Sequence, residues 1–465
     1  MKTTNRFKRP YLSYLILLNI GVLPATSIAQ ESAVQDNDIE VITVKGIRGS
    51  LVRSQDIKKS SATVVDAITA EDLGKFPDQN VAESLQRVTG VSIDRSGGEG
   101  AKITVRGMGP EFNAVLLNGR TMASTSGGRA FNFDILASEL ISGSEVHKTQ
   151  TSKLQEGSIG ATVNINTLKP LDMPGFKATG NVKAQYDEMS GETNPQFSGL
   201  ISNTFANDSV GVLFALASTS RESRYDTAAT NGYRVRDVEF DDGTIHEGIY
   251  MPRNYDQIVQ LEDRDRLGTS LVLQYKPNED VTFTLDSLYS VLDVSYDQNR
   301  LAHWFDNSQI TDGVLGANRT LEKVTMGRGA ASDVVARKSN DTNTLKAFGF
   351  NASWQVNESL NISGDVNISN ASNDPSGESD TTANRPGGYK YDRSGGVLLP
   401  TMEFDASNSK EGLYAGWGSI DGSYIEDDIQ EFKLDGEWVI DKGVMSKANF
   451  GMMLSERTLK NQYAG

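Results

Sequence analysis

The chain has 465 residues and not one cysteine. No disulfide holds it, and thiol catalysis is excluded. Histidine is almost as scarce: His147, His246 and His303 stand singly, without the spacing of a zinc site. Positive charge is short as well. Lys and Arg number 45 against 61 Asp and Glu, a formal net charge of −16. Binding a phosphate backbone takes clustered Lys and Arg, so nucleic acid is not expected as a partner. Long hydrophobic runs are also missing. The stretch from Tyr11 to Leu23 is about 13 residues, where a spanning helix needs ~20. A membrane form of this chain must therefore be a strand-built barrel, which satisfies its backbone by pairing.

That one apolar stretch belongs to a leader. Lys2, Arg6, Lys8 and Arg9 form a basic start, Pro24 ends the apolar core, and Ser27-Ile28-Ala29 offers small residues for cleavage. Residues 1–29 read as a secretory signal, with a mature start near Gln30. Losing those four basic residues and no acidic one takes the formal charge from −16 to −20.

What the sequence does have is strict alternation. Leu360, Ile362, Val366 and Ile368 interleave with Asn361, Ser363, Asp365, Asn367 and Ser369. Phe348, Phe350, Ala352, Trp354 and Val356 do the same against Gly349, Asn351, Ser353 and Gln355. A period of two puts apolar side chains on one face of a strand and polar ones on the other. About nine such segments follow Lys177, joined alternately by tight turns and by long polar stretches at 227–264, 298–342 and 374–426. The tight turns lie at Ala206–Ser209, Asn278–Asp280, Asn357–Ser359 and Asp441–Gly443, and Tyr275, Trp354 and Trp438 stand just before three of them. Interfacial aromatics at short periplasmic turns, with long loops on the outer side, predict an antiparallel transmembrane β-barrel.

Upstream, residues 60–170 predict a compact α+β domain. Val81, Ser84, Leu85 and Val88 share a helical face behind a capping box of Asn80 and Glu83. Short strands are expected at Val91–Ile93, Ile103–Val105, Val115–Leu117 and Val163–Ile165, with a hairpin turn at Asn118-Gly119 and a second helix over Ile135–Ile141. Ahead of it, Asp38 to Gly46 is a β-prone segment without a partner hairpin, suited to strand addition onto another protein.

These parts together resemble the TonB-dependent outer-membrane receptors. Phe76 to Arg95 (FPDQNVAESLQRVTGVSIDR), Ile103 to Arg120 (ITVRGMGPEFNAVLLNGR) and Gly157 to Pro170 (GSIGATVNINTLKP) resemble the family's plug, and Asp38 to Val44 its TonB box. The resemblance implies a signal peptide at 1–29, a periplasmic segment with the TonB box at 30–50, a plug at 51–170, and barrel strands at 171–465. It implies a non-enzymatic receptor in the outer membrane, coupled to TonB through Asp38, Ile39, Glu40, Val41, Ile42, Thr43 and Val44. The wording is nearest to receptors for complex carbohydrates, with siderophore or cobalamin uptake, or a passive porin-like channel, as alternatives. The family's barrel resembles 22 strands, so about nine strands imply a fragment or truncated product, with only the N-terminal part of the barrel.

For the ligand, a small molecule or oligosaccharide, the residues expected to make contact are Glu111, Phe112, Arg129, Phe131 and Phe133 in plug loops, with Trp304, Phe305 and Trp417 in outer loops. Exposed aromatics on polar segments suit stacking on sugar rings. No cofactor is expected. Gly97, Gly98, Gly100, Gly107 and Gly109 lie between strands with no Lys-Ser/Thr pair after them, and read as turns rather than a phosphate cradle. Asp237, Glu239 and Asp241 open like a calcium loop, but Asp242 stands where glycine is required, and no metal site is assigned.

Overall fold

The computed structural model describes residues 46–70, 80–375, 377–396, 399–404, 412–442 and 445–464. The leader, the segment Asp38–Val44 and Phe76–Gln79 lie outside them. The first element, helix α1 (Gly46–Ser60), has no apolar stripe: Leu51 and Val52 are exposed and the buried positions are Gly49 and Ser50. It docks through hydrogen bonds instead. Ser50 Oγ donates to the Thr69 carbonyl at 2.5 Å, Thr69 Oγ1 donates to the Ser50 carbonyl at 3.0 Å, and Arg53 donates to the Ala70 carbonyl at 2.5 Å.

The plug is built on a five-stranded sheet. Its strands are β1 (Val65–Thr69), β4 (Ala114–Leu117), β5 (Arg120–Thr121), β6 (Ile141–His147) and β7 (Thr162–Thr167), in the order β1-β6-β7-β4-β5, with β4 parallel to β7. A separate hairpin, β2 (Val91–Ser96) with β3 (Glu99–Val105), follows helix α2 (Val81–Leu85). Asn118 and Gly119 both have positive φ, 52° and 83°, the mirror-image turn that a two-residue hairpin requires. The capping box is only half made. Asn80 Oδ1 accepts from the Ala82 N–H at 2.7 Å, while Glu83 turns away to the Arg95 guanidinium and the Gly100 N–H. The helix expected over Ile135–Ile141 is instead two single 3-10 turns, Phe133–Ile135 and Ser138–Leu140, before β6 starts. All seven residues from Ile135 to Ile141 are buried, so no solvent face distinguishes a helix here.

Among the described residues the wall is a single antiparallel sheet whose long strands are β8 (Lys177–Tyr186), β9 (Thr193–Phe205), β10 (Val210–Ala229), β13 (Asn254–Tyr275), β14 (Val281–Trp304), β17 (Ala331–Asn357), β18 (Leu360–Pro375), β22 (Tyr414–Lys442) and β23 (Met445–Ala464). The expected architecture, an α+β plug and then antiparallel barrel strands, is present. Tight turns close with Asn side chains. Asn278 Oδ1 accepts from the N–H of Asp280 and Val281, and Asn357 Oδ1 from Ser359 and Leu360.

The outward face carries a level apolar belt. On β13 it runs through Leu267, Leu271, Leu273 and Tyr275, ending where Asp265 and Asp263 take over. On other strands it takes in Phe214 and Leu216, Tyr289, Phe348 and Phe350, and Phe432 and Leu434, all exposed, with Phe283 half-buried among them. Nine residues at about 3.3 Å each match the span of a hydrocarbon core. Tyr275, Trp354 and Trp438 ring its turn end, with Tyr275, Phe283 and Phe350 stacked at 6.3 Å spacings. Among the described residues no helix is long and apolar enough to cross a membrane.

Above the belt the strands do not dissolve into loops. The stretches expected to be long polar loops lengthen the wall and fold into β11 (Tyr233–Glu239) with β12 (Ile245–Pro252), a four-stranded sheet of β15 (Ile310–Leu315), β16 (Leu321–Met326), β20 (Tyr389–Asp392) and β21 (Thr401–Phe404), and β19 (Glu378–Pro386), which continues β18 between β17 and β22. They share a second core that includes Phe240, Ile249, Met251, Tyr255, Phe305, Leu321, Met326, Tyr389 and Tyr391.

The belt sets a depth-dependent expectation. Leu271→Arg, at its middle, should destabilise the protein in lipid by about 2–4 kcal/mol, read from urea midpoints in vesicles, whereas Gln257→Arg on the same face above the belt should cost under about 1 kcal/mol.

Candidate functional site at the plug–wall interface

The lumen face of the wall is the polar half of each alternating strand, so the plug meets it chiefly through hydrogen bonds and ion pairs. At the centre is Arg120, just after the Asn118-Gly119 turn. Its guanidinium donates through Nη1 to both oxygens of Asp286 at 2.8 and 2.6 Å, and through Nε and Nη2 to Asp365 at 2.6 and 3.0 Å. The side chain is 7 % exposed, and burial that would favour its neutral form is outweighed by the two carboxylates, which raise its pKa. Gly349, opposite on β17, leaves the room: a Cβ there would overlap the guanidinium. Asn118 Nδ2 also reaches Asp286, at 3.2 Å.

A second set lies nearer the outer end. Glu99, on the β2–β3 hairpin, accepts from Arg266 at 2.6 Å and pairs with Arg264 and Arg221 at 3.6 and 3.7 Å. Asp134 accepts from Arg264 at 2.8 Å. Burial works to raise the Glu99 pKa, yet the three guanidiniums prevail and hold its carboxyl below the usual range. Leu140 and Ala137 pack on Gly268, Pro170 and Leu171 on Gly211, and the plug core continues into Leu200, Leu213, Val272, Leu288, Leu292 and Leu345 of the wall.

Between this plug surface and the wall, just above the lipid belt, lies a cavity of about 190 Å³. Ser96, Thr125, Asn132 and Asp134 of the plug face Arg264, Asp341 and Asn343 of the wall across it. At about 30 Å³ per water it holds one ring or chelating group and its hydrogen-bond partners. No motif marks it, because its lining comes from residues far apart in the chain.

Some residues expected to touch ligand are placed elsewhere. Phe131 and Phe133 are 5 % and 1 % exposed and pack edge to face at 5.1 Å in the plug core. Phe305 is buried in the outer core against Tyr389 and Tyr391. Trp304 donates to Asp333 at 2.9 Å and carries the Arg253 guanidinium over its ring at 5.7 Å. Glu111, Phe112 and Arg129 are exposed, Arg129 donating to the Gly157 carbonyl at 2.6 Å. Trp417 is exposed on β22, outside the Trp304 cluster. In the acidic stretch, Asp241 is held by Arg328, and Asp237 accepts from the Gly248 N–H.

The family model for the TonB-dependent Receptor Plug Domain matches residues 57–162. Over 187 residues the chain is 25 % identical to the ferric enterobactin receptor PirA of Pseudomonas aeruginosa, a match covering 36 % of this chain and 25 % of that relative. Solved structures similar to it include a mutant ferric enterobactin receptor, PfeA, from Pseudomonas aeruginosa (11 % identity, 83 % of this chain, 63 % of that one, TM-score 0.36). The siderophore receptor PirA from Acinetobacter baumannii is another (11 % identity, 88 % of this chain, 79 % of that one, TM-score 0.30). The chain thus carries the plug domain of TonB-dependent receptors ahead of a lipid-facing strand wall, and it is an outer-membrane protein.

Two results are expected at this interface. Arg120→Met removes the positive charge between Asp286 and Asp365, leaving each only an amide donor (Asn118 and Asn351), and should cost about 3–5 kcal/mol in denaturant unfolding, much of it recovered when both are changed to Asn. The Glu99 contribution is complete above an ordinary carboxylate pKa of about 4.3 and disappears as pH falls through its lower folded value. Protease release of the plug should therefore rise on acidification, and Glu99→Gln should abolish that step.

Proposed function

We propose that the protein is a TonB-dependent receptor that imports a scarce ligand across the outer membrane, and that the ligand is a ferric siderophore. The observation carrying this reading is a matched plug domain seated against the polar face of a lipid-facing wall, with a cavity of mixed polar and apolar lining between them. A plug held by buried ion pairs is of no use to a passive channel, which needs a free lumen. The curated relative matched over 187 residues is a ferric enterobactin receptor. The carbohydrate reading drew on motif wording and on stacking aromatics, and of those aromatics Phe131, Phe133 and Phe305 are occupied in cores.

Ligand enters from the outer side and rests between Asn132 of the plug and Asn343 of the wall. TonB grips Asp38–Val44 by strand addition and pulls. A proline at Ile42 or Thr43 removes an amide donor and fixes φ, which breaks such pairing. In cells producing the protein, Ile42→Pro should stop uptake of ferric enterobactin while leaving its binding intact. Asn132→Leu with Asn343→Leu should weaken that binding about tenfold or more in equilibrium titrations, the cost of unpartnered polar groups. Binding of oligosaccharides with no response to ferric enterobactin would overturn the siderophore assignment.

A further inference from the structure

His303 lies on β14 well above the belt. Val291, which pairs with Leu267 at the belt's upper limit, is roughly 40 Å back along the strand at about 3.3 Å per residue. The imidazole is fully buried, and the side chains closing over it come from the outer sheet: the Tyr389 ring of β20 at 4.7 Å and the Phe404 ring of β21 at 5.6 Å. Tyr389 also donates its hydroxyl to the Trp304 carbonyl. Ser332 of β17 lies 2.9 Å from Nδ1, while Nε2 has no hydrogen-bond partner. The charged groups nearby are engaged elsewhere. On β13, Asp256 follows Tyr255, the register partner of His303; it faces the other side of the sheet, 3.7 Å from Arg300 of β14. On β17, Asp333 accepts from Trp304 and Asn384, also on that other side. Arg385 of β19, the register partner of Ser332, adds positive charge. On the outer sheet Lys390 pairs with Glu403 at 3.6 Å, both exposed, and Asp392 with Lys323 at 2.7 Å. Among the described residues no carboxylate pairs with the imidazole, and burial pushes its pKa down to about 4.

We propose that His303 is an acid-sensitive latch for the outer sheet: when its ring takes up a proton, β20 and β21 release from β14 and β17 while the wall below stays paired. An imidazolium carries a charge and two N–H donors. Ser332 can accept from one of them; the other faces aromatic rings, so the docked state holds a buried cation without a counter-charge. Attraction to the tilted rings of Tyr389 and Phe404 offsets only part of that cost. Admitting water relieves it, and the outer sheet is what keeps water out. The backbone ladder of β13, β14 and β17 need not break, because only the covering side chains have to leave. The docked state prefers the neutral ring. Its stability is therefore complete above the free imidazole pKa of about 6.5 and falls as pH drops toward the lower folded value. This end of the wall faces the medium outside the cell, so external acidity reaches the latch directly.

Hydrogen exchange on the purified protein in vesicles tests this, each rate being divided by its intrinsic rate at the same pH. Protection of Tyr389–Asp392 and Thr401–Phe404 should fall about tenfold or more between pH 7.5 and pH 4.5, with residues 267–275 in the belt unchanged. His303→Phe keeps an aromatic ring and cannot charge, so its protection should be the same at both pH values. Asp256, whose pKa burial raises, takes up protons in a similar range, and His303→Phe retains it, which separates the two groups. Ser332→Asp gives the imidazolium a carboxylate partner and should preserve protection at pH 4.5. No loss in the unaltered protein, or an equal loss in His303→Phe, overturns the proposal. If His303→Phe does not fold, Ser332→Asp decides: a loss as large as that of the unaltered protein overturns the latch, and retained protection supports it. No ligand enters the experiment, so its outcome does not depend on the import reading.

Discussion

A strand in a membrane has two faces, and lipid claims one of them. That constraint decides how everything else is held. Because Leu271, Phe283, Phe348 and Phe432 point outward to hydrocarbon, the alternate positions are left to the lumen, and those are Asp286, Asp365, Arg264, Arg266 and Glu431. The plug meets a surface whose polar groups are already committed by the period of the strand. It has to answer with charges of its own, and Arg120, Glu99 and Asp134 do so. Such pairs contribute little net stability over an apolar packing, yet cost several kcal/mol when half of one is removed. They therefore fix where the plug sits more than how firmly the whole protein is folded.

The wall was the legible part of the sequence because its signal is local. A period of two, repeated over segments longer than a lipid crossing and closed by Asn-led turns, needs no knowledge of distant residues. The plug hairpin was legible for the same reason: Asn118-Gly119 carries its own backbone geometry. Helix α1 was not, since it is held by Ser50, Thr69 and Arg53 rather than by an apolar stripe. Ile135 to Ile141 misled in the opposite sense, its apolar spacing fitting a helix although the residues serve two 3-10 turns and a strand start. The stretches read as long loops fold because Phe240, Met251, Phe305, Met326 and Tyr389, sparse within each excursion, meet across three of them.

The candidate site was less legible than the fold. Aromatic residues on polar segments were taken as available for stacking, but an aromatic is also what a small core needs most, and Phe131, Phe133 and Phe305 went there. The cavity lining is ordinary in type (Ser96, Thr125, Asn132, Asn343), and only the registration of plug against wall brings it together. Nothing in the spacing of such residues marks them in advance.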